Sequence, residues 1–246
     1  DDAAFMAWGW REPFLASAVL VIIGLWVRLN IAETPAFRNA LAHKAPERVP
    51  VGQVLAHHAR GVIAGAAGVL ATFSSFYLVT TYALAEATGP QGLDRNAFLL
   101  AQMLSALCYA AGILVSGWIA DHSSPGAILG KAALCVGACW LIFGPGVSSG
   151  SLGLATAAIA VTMFAIGMAN SPLGAWLTPL FPVRLRYTGV ALAFNVGGVI
   201  GGALTPIAAQ AQSVAGLAQW VGLLMVVAGV ATWAATKFVA PADPLG

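Results

Sequence analysis

Charge is scarce in this chain. Asp, Glu, Lys and Arg supply 8% of its residues, against about 25% in an ordinary soluble domain. A water-soluble fold of this size has no means of hiding so much apolar surface, so a soluble globular protein is excluded. The net charge is +2, and there is no basic patch with interleaved aromatics of the kind that holds nucleic acid. Cysteine is also sparse. Cys108, Cys135 and Cys139 lie in apolar runs, and Cys135 and Cys139 share a helix face at i, i+4. That spacing reads as helix packing. It is neither a disulfide framework nor a metal-ligand set. No acid or base stands in the middle third of any apolar run, and no Ser/His/Asp, paired-carboxylate or His-rich constellation occurs within one. This argues against an intramembrane enzyme and implies no cofactor and no metal. Short alternating segments are absent too, which excludes a membrane β-barrel.

What is present is hydrocarbon. The chain is 59% hydrophobic with mean hydropathy +0.85. Pro, Gly and charged residues divide it into seven apolar segments, near 13–31, 61–85, 97–120, 127–145, 152–172, 187–210 and 215–238. Each approaches the ~20 residues a helix needs to cross ~30 Å of hydrocarbon. The fold class expected is therefore all-α, a polytopic transmembrane helix bundle with seven spans and the lipid bilayer as its first partner. The domain division expected is a short outer segment with the first span over 1–31, a long loop over 32–60, six helices over 61–238, and a tail over 239–246. Within the loop, Thr34-Pro35 reads as an N-cap with proline in the first helical turn, and Pro46 and Pro50 break the short helix that follows. His57-His58 reads as a solvated pair, because adjacent residues point to different helix faces.

Orientation follows from the basic residues. With the long loop in the cytoplasm, the inner ends and loops collect Arg28, Arg38, Lys44, Arg48, Arg60, Lys131, Arg184, Arg186 and Lys237, and the outer side gets Arg11 and Arg95. The loop and the C-terminus are thus expected inside, in a cell inner membrane. Seven spans also suit a retinal-type pump, but the last one holds a lysine only at its inner end.

Four stretches resemble the metabolite–proton symporter branch of the major facilitator superfamily. One is Trp8-Gly9-Trp10-Arg11-Glu12-Pro13-Phe14-Leu15, running to Gly24-Leu25-Trp26-Val27-Arg28 and Glu33-Thr34-Pro35-Ala36-Phe37. Another is Phe76-Tyr77 with Thr80-Thr81-Tyr82. The third is Gly117-Trp118-Ile119-Ala120-Asp121. The fourth is Phe181-Pro182-Val183-Arg184-Leu185-Arg186-Tyr187-Thr188-Gly189, running to Gly201-Gly202 and Thr205-Pro206. The resemblance covers essentially the whole chain. It implies helices six to twelve of a twelve-helix transporter, with helices one to five missing, and small carboxylates or zwitterions as solutes coupled to protons. Asp121 departs from the pattern, being followed by His122-Ser123-Ser124-Pro125-Gly126 where that family has a glycine and paired arginines. The chain opens on Asp1-Asp2 with no methionine, which agrees with a fragment.

Polar residues on one face of an apolar helix mark an aqueous path. Ser74, Tyr77 and Thr81 share one stripe, and Gln102, Ser105, Tyr109 and Ser116 share another. They are candidates for the wall of a substrate cavity or, alternatively, interhelical hydrogen-bond pairs. Asn170 and Ser171 precede Pro172, which frees a carbonyl near residue 168 and predicts a kink. Asn195 lies seven residues after Thr188 on one face and completes the cavity candidates. Asp121, Arg184 and Arg186 are gating candidates, or solvated loop charges. Gly197, Gly198, Gly201 and Gly202 form two overlapping G-x-x-x-G pairs, read as close helix packing. If the protein is a symporter, the absence of central charges puts the coupling residue in the missing half. The rival is a non-transporting membrane remnant or scaffold.

Overall fold

The structure, a computed structural model, describes residues 2–30 and 50–238. The loop expected over 32–60 falls outside the described residues up to position 49, as does the tail expected over 239–246. Two compact units divide the chain, residues 1–46 and 47–246, and each is taken by itself.

In the first unit, α1 (Asp2–Ala7) is followed by a 3-10 turn over Gly9–Arg11 and by α2 (Glu12–Asn30). Arg11 bends back to donate to the Ala7 carbonyl at 2.9 Å, and its guanidinium lies 4.2 Å from the centroid of the Trp10 ring. An indole under a cation, ahead of a long apolar helix, suits a headgroup boundary. Gly9–Asn30 as a whole is long and apolar enough to cross a bilayer.

In the second unit, α3 (Pro50–His57) leads into six such segments: Ala59–Thr88, Arg95–Ala120, Pro125–Val147, Leu152–Leu180, Arg186–Val214 and Ala218–Phe238. The second span of the chain is α4 (Ala59–Tyr77), a π-segment over Leu78–Tyr82, and α5 (Ala83–Thr88). The third is α6 (Arg95–Ala120). The fourth is α7 (Pro125–Ala138) with α8 (Trp140–Val147). The fifth is α9 (Leu152–Leu177), continued by a 3-10 turn to Leu180. The sixth is α10 (Arg186–Val199), a second π-segment over Ile200–Leu204, and α11 (Thr205–Val214). The last ends with α12 (Leu223–Phe238). Starts are set by local chemistry. Asp94 caps α6 by accepting from Ala97 N at 2.8 Å, and Ser151 caps α9 by accepting from Leu154 N at 3.5 Å. Pro125 starts α7 at a position where no amide is needed.

Three elements outrun their expected ends. The fifth span was expected to stop at Pro172, yet α9 runs through it to Leu177. Proline removes one amide and leaves the carbonyl four residues back unmet. Here Ser116 of α6 donates to that carbonyl, Met168 O, at 2.7 Å. The second and sixth spans likewise run further than expected, to Thr88 and Val214.

Close approach makes that rescue possible. A Cβ on Gly112 of α6 would overlap the Phe164 carbonyl oxygen of α9, and one on Gly167 of α9 would overlap the Tyr109 carbonyl oxygen of α6. The two backbones therefore touch at a pair of glycines. The G-x-x-x-G expectation holds in the same way. Side chains at Gly197 and Gly201 would strike α4 at Ala66 and Ser74. Elsewhere α6 turns an unpartnered apolar stripe outward, through Leu100, Met103, Leu107, Leu114 and Trp118. In water each such side chain forgoes about 1.5–3 kcal/mol of burial. In lipid it loses nothing, so the chain is a membrane protein.

Gly112→Ala and Gly167→Ala should each cost about 1–3 kcal/mol by forcing α6 from α9. Gly174→Ala, with nothing within 4 Å of its added methyl, should be neutral or gain up to ~1 kcal/mol of helix propensity. Thermal unfolding in detergent, followed by intrinsic fluorescence, separates the three.

Candidate functional site

The polar residues of the spans sort into those consumed by the backbone and those left over. Gln102 belongs to the first group. Its amide donates to the Val79 carbonyl at 2.7 Å and to the Thr80 carbonyl at 3.1 Å, both inside the first π-segment. A π-turn skips the usual i+4 donor, and Gln102 supplies the substitute from the neighbouring span. Ser116 is consumed by Met168, as above. Ser105 is buried and donates to the Ala101 carbonyl of its own helix at 2.8 Å. Ser74 is buried and accepts from Thr205 Oγ1 at 3.0 Å, which ties α4 to α11. Thr232 of α12, not singled out from the sequence, does the same work on α4. Its hydroxyl donates to the Ala67 carbonyl at 2.8 Å and accepts from Ala71 N at 3.0 Å. It thus sits across the groups that would close one turn of α4.

The remainder faces open space. A cleft of about 460 Å³ between α4 and α10 is lined by Phe73, Tyr77, Phe194, Asn195, Gly198 and Gly202, among others. Two expected cavity residues, Tyr77 and Asn195, therefore meet in one place. Tyr77 is 38% exposed. Its ring sits where a side chain on Gly202 would go, 2.9 Å from a Cβ built there, so the glycine makes room for the phenol. Asn195 donates to the Ala191 carbonyl at 2.8 Å, which leaves its side-chain oxygen free to accept. Phe73 and Phe194 meet edge to face at 4.9 Å and form an aromatic wall. Phe76, which the stripe analysis passed over, links the two stripes. Its ring centroid lies 6.0 Å from that of Tyr77 and 6.1 Å from that of Tyr109. The lining holds no charged side chain. It can offer a phenol hydroxyl, an amide and aromatic faces to a solute, and no salt bridge. A separate cleft of about 350 Å³, lined by Ser124, Pro125, Trp176 and Lys237 among others, contains none of the expected residues.

The other expected residues are scattered. Thr81 is exposed within the first π-segment, and Asn170 is half-buried on α9. Asp121 is exposed at the end of α6. Arg186 donates from Nε to the Phe181 carbonyl at 3.4 Å, and no hydrogen bond or ion pair joins it to Asp121 among the described residues. Arg184 is half-buried in the turn before α10. Glu86, set aside in the sequence as lying near a span end, proves to be fully enclosed. It is 2% exposed and accepts hydrogen bonds from Tyr82, Gln91 and Ser213.

Curated relatives align along most of the chain. The inner membrane metabolite transport protein YhjE of Escherichia coli is 35% identical over 88% of the chain and 50% of its own length. The shikimate transporter of the same organism is 29% identical over 85% of the chain and 49% of its length. A citrate-proton symporter of Salmonella typhi is 28% identical over 82% and 46%. The chain spans about half the length of the relatives it matches. No family model and no solved structure matches it.

Removing a hydroxyl or amide that serves the backbone should cost stability. Ser116→Ala, Gln102→Leu and Thr232→Val each leave buried backbone groups of a neighbouring helix unmet, at about 0.5–2 kcal/mol apiece. Asn195→Ala, on the open cleft, should leave thermal unfolding in detergent unchanged.

Proposed function

This chain belongs to the major facilitator superfamily, alongside bacterial metabolite transporters, and from that membership we propose that it forms one half of a secondary transporter for a small carboxylate or zwitterionic metabolite, driven by proton symport. The observation that carries the reading is the cleft between α4 and α10, where Tyr77 and Asn195 present a hydroxyl and an amide between aromatic walls. Sites in such transporters form where two repeats face each other. The half supplied here is neutral. It recognises the polar but uncharged part of a solute and its apolar body, while the group that answers a carboxylate comes from the opposing half.

In this reading the seven spans lie in the cell inner membrane with the long loop and the C-terminus in the cytoplasm. The end of the bundle that carries Asp121, Arg184 and Arg186 is then the inner one. There they guard one access state, with the acid at the end of α6 set against the basic turn before α10. Ser74, Gln102 and Ser105 hold the wall in shape, and Tyr77, Thr81, Tyr109, Asn170 and Asn195 are the side chains left to meet water or solute.

Uptake into energised vesicles tests this, with labelled citrate, shikimate and glycine betaine as probes. The chain alone should accumulate none of them. Expressed with the reading frame upstream of Asp1, it should accumulate at least one. Asn195→Ala or Tyr77→Ala should then lower uptake by about tenfold, the effect of ~1.4 kcal/mol. Robust uptake by the chain alone would overturn the half-site assignment.

A further inference from the structure

Among the described residues Glu86 is the one buried acid, 2% exposed at the last turn of the second span. Gln91 Nε2 donates to its Oε1 at 3.1 Å. Its Oε2 accepts from the Tyr82 hydroxyl at 3.3 Å and from the Ser213 hydroxyl at 2.5 Å. The surroundings are constructed for it. The π-segment ends on Tyr82 and so aims that phenol along the next turn. Gln91 is folded back over the carboxylate by a turn in which its own amide donates to the Glu86 carbonyl at 3.2 Å, with Gly92 at φ +65 completing the reversal. No cation pairs with Glu86 among the described residues. The elements packed on α5 are the π-segment, α6 and α8. They carry, as titratable groups, Tyr82, then Arg95, Cys108 and Tyr109 of α6. Asp94 ahead of α6 is engaged with Ala97 N. Both α8 and α11, which brings Ser213, carry none.

We propose that Glu86 is a proton-binding site that latches the second span to the sixth at this end of the bundle. Gln91 and Tyr82 belong to the second span and the turn after it, and Ser213 alone reaches across from α11. Ionised, the carboxylate receives all three donors, and the Ser213 bond is charge-assisted, about twice as strong as a neutral one. A proton from the adjoining aqueous phase forms an O–H bond at Oε2 and displaces nothing. Gln91 keeps its acceptor on Oε1. At Oε2 the new hydroxyl donates to one of its two former donors, which rotates to accept. No buried group is left without a partner, so both states are tolerated. What changes is the cross-span bond, which loses its charge assistance. The same two spans are joined deeper by Thr205 and Ser74, which supplies a pivot about which a released outer end can swing. Used in transport, this places a proton site in this half of the protein, whereas the sequence placed coupling only in the other. That use rests on the transporter reading; the latch itself does not.

The test uses the 246-residue chain in lipid nanodiscs without solute. Cys108, Cys135 and Cys139 are replaced by Ala, and spin labels are placed at Pro90→Cys and Ala215→Cys. Pulsed dipolar spectroscopy reads the label separation as pH is lowered, and infrared difference spectra read the protonated-carboxyl stretch. The expected result is a buried-carboxyl band that grows in step with a longer separation. Glu86→Gln should remove the band and hold the long separation at every pH. Ser213→Ala should lengthen the separation at neutral pH while the band still titrates. Glu86→Asp should keep a pH response. A separation that ignores pH in the parent chain overturns the latch, as does a response that survives in Glu86→Gln or a band that titrates without any change in separation. Vesicle uptake, measured separately, decides whether the protein transports at all, so each idea fails on its own readout.

Discussion

In hydrocarbon a backbone group has no water to fall back on, so every interruption of a helical ladder must be met by protein. Much of this structure follows from that single demand. The π-segment at Leu78–Tyr82 is met by Gln102, the carbonyl released by Pro172 by Ser116, and the Ala67–Ala71 turn is bridged by Thr232. Each repair comes from a different helix, so each also fastens two helices together. Polar side chains that look like the lining of a water path on a helical wheel are largely spent in this way. The helices must come close for these short side chains to reach, and glycines at the crossing points, Gly112 against α9 and Gly167 against α6, allow it. Repair and close packing are two sides of one requirement.

How far the sequence reaches follows from the same physics. Span number and position are legible because length and hydropathy are properties of a stretch taken alone. The seven expected segments and the seven helical ones agree except at a few ends. Pro172 shows where that logic stops. Taken alone it terminates a helix, but with Ser116 opposite, the helix continues. The sequence carried both residues and even the freed carbonyl near 168, but not the fact that they meet. The close pair Gly112 and Gly167 was missed for the same reason, since neither belongs to a G-x-x-x-G pair within its own helix. Glu86 was legible as a charge near a span end. Its enclosure depends on Ser213, 127 residues away, and on a turn that no hydropathy window describes.

The two π-segments have different origins. The second, Ile200–Leu204, ends just before Pro206. A proline ring crowds the carbonyl four residues back, here that of Gly202, and the widened turn relieves the crowding. Gly201 and Gly202 accept the change because they carry no side chain to collide with Phe73, Ser74 and Tyr77 across the way. The first π-segment has no proline. Its widened turn is held by the side chain of Gln102, a partner that can let go.

That difference bears on movement. Both π-segments lie in the spans that border the cleft, and those spans are bound to each other at Ser74–Thr205 and at Glu86–Ser213. A turn fixed by a proline keeps its shape in any state of the protein. A turn fixed by an amide from a neighbouring helix keeps it only while the neighbour stays. Rocking α6 away from the second span withdraws Gln102 from Val79 and Thr80. Their carbonyls then need another partner, and a tightened α-helical turn is the one at hand. Tightening rotates whatever follows the turn, which is Tyr82 and then Glu86. The donor that the carboxylate takes from Tyr82 is therefore tied to a helix that makes no hydrogen bond to either residue. In this arrangement the acid at the span end and the phenol of Tyr77 at the cleft belong to one mechanical element, with the replaceable π-turn between them.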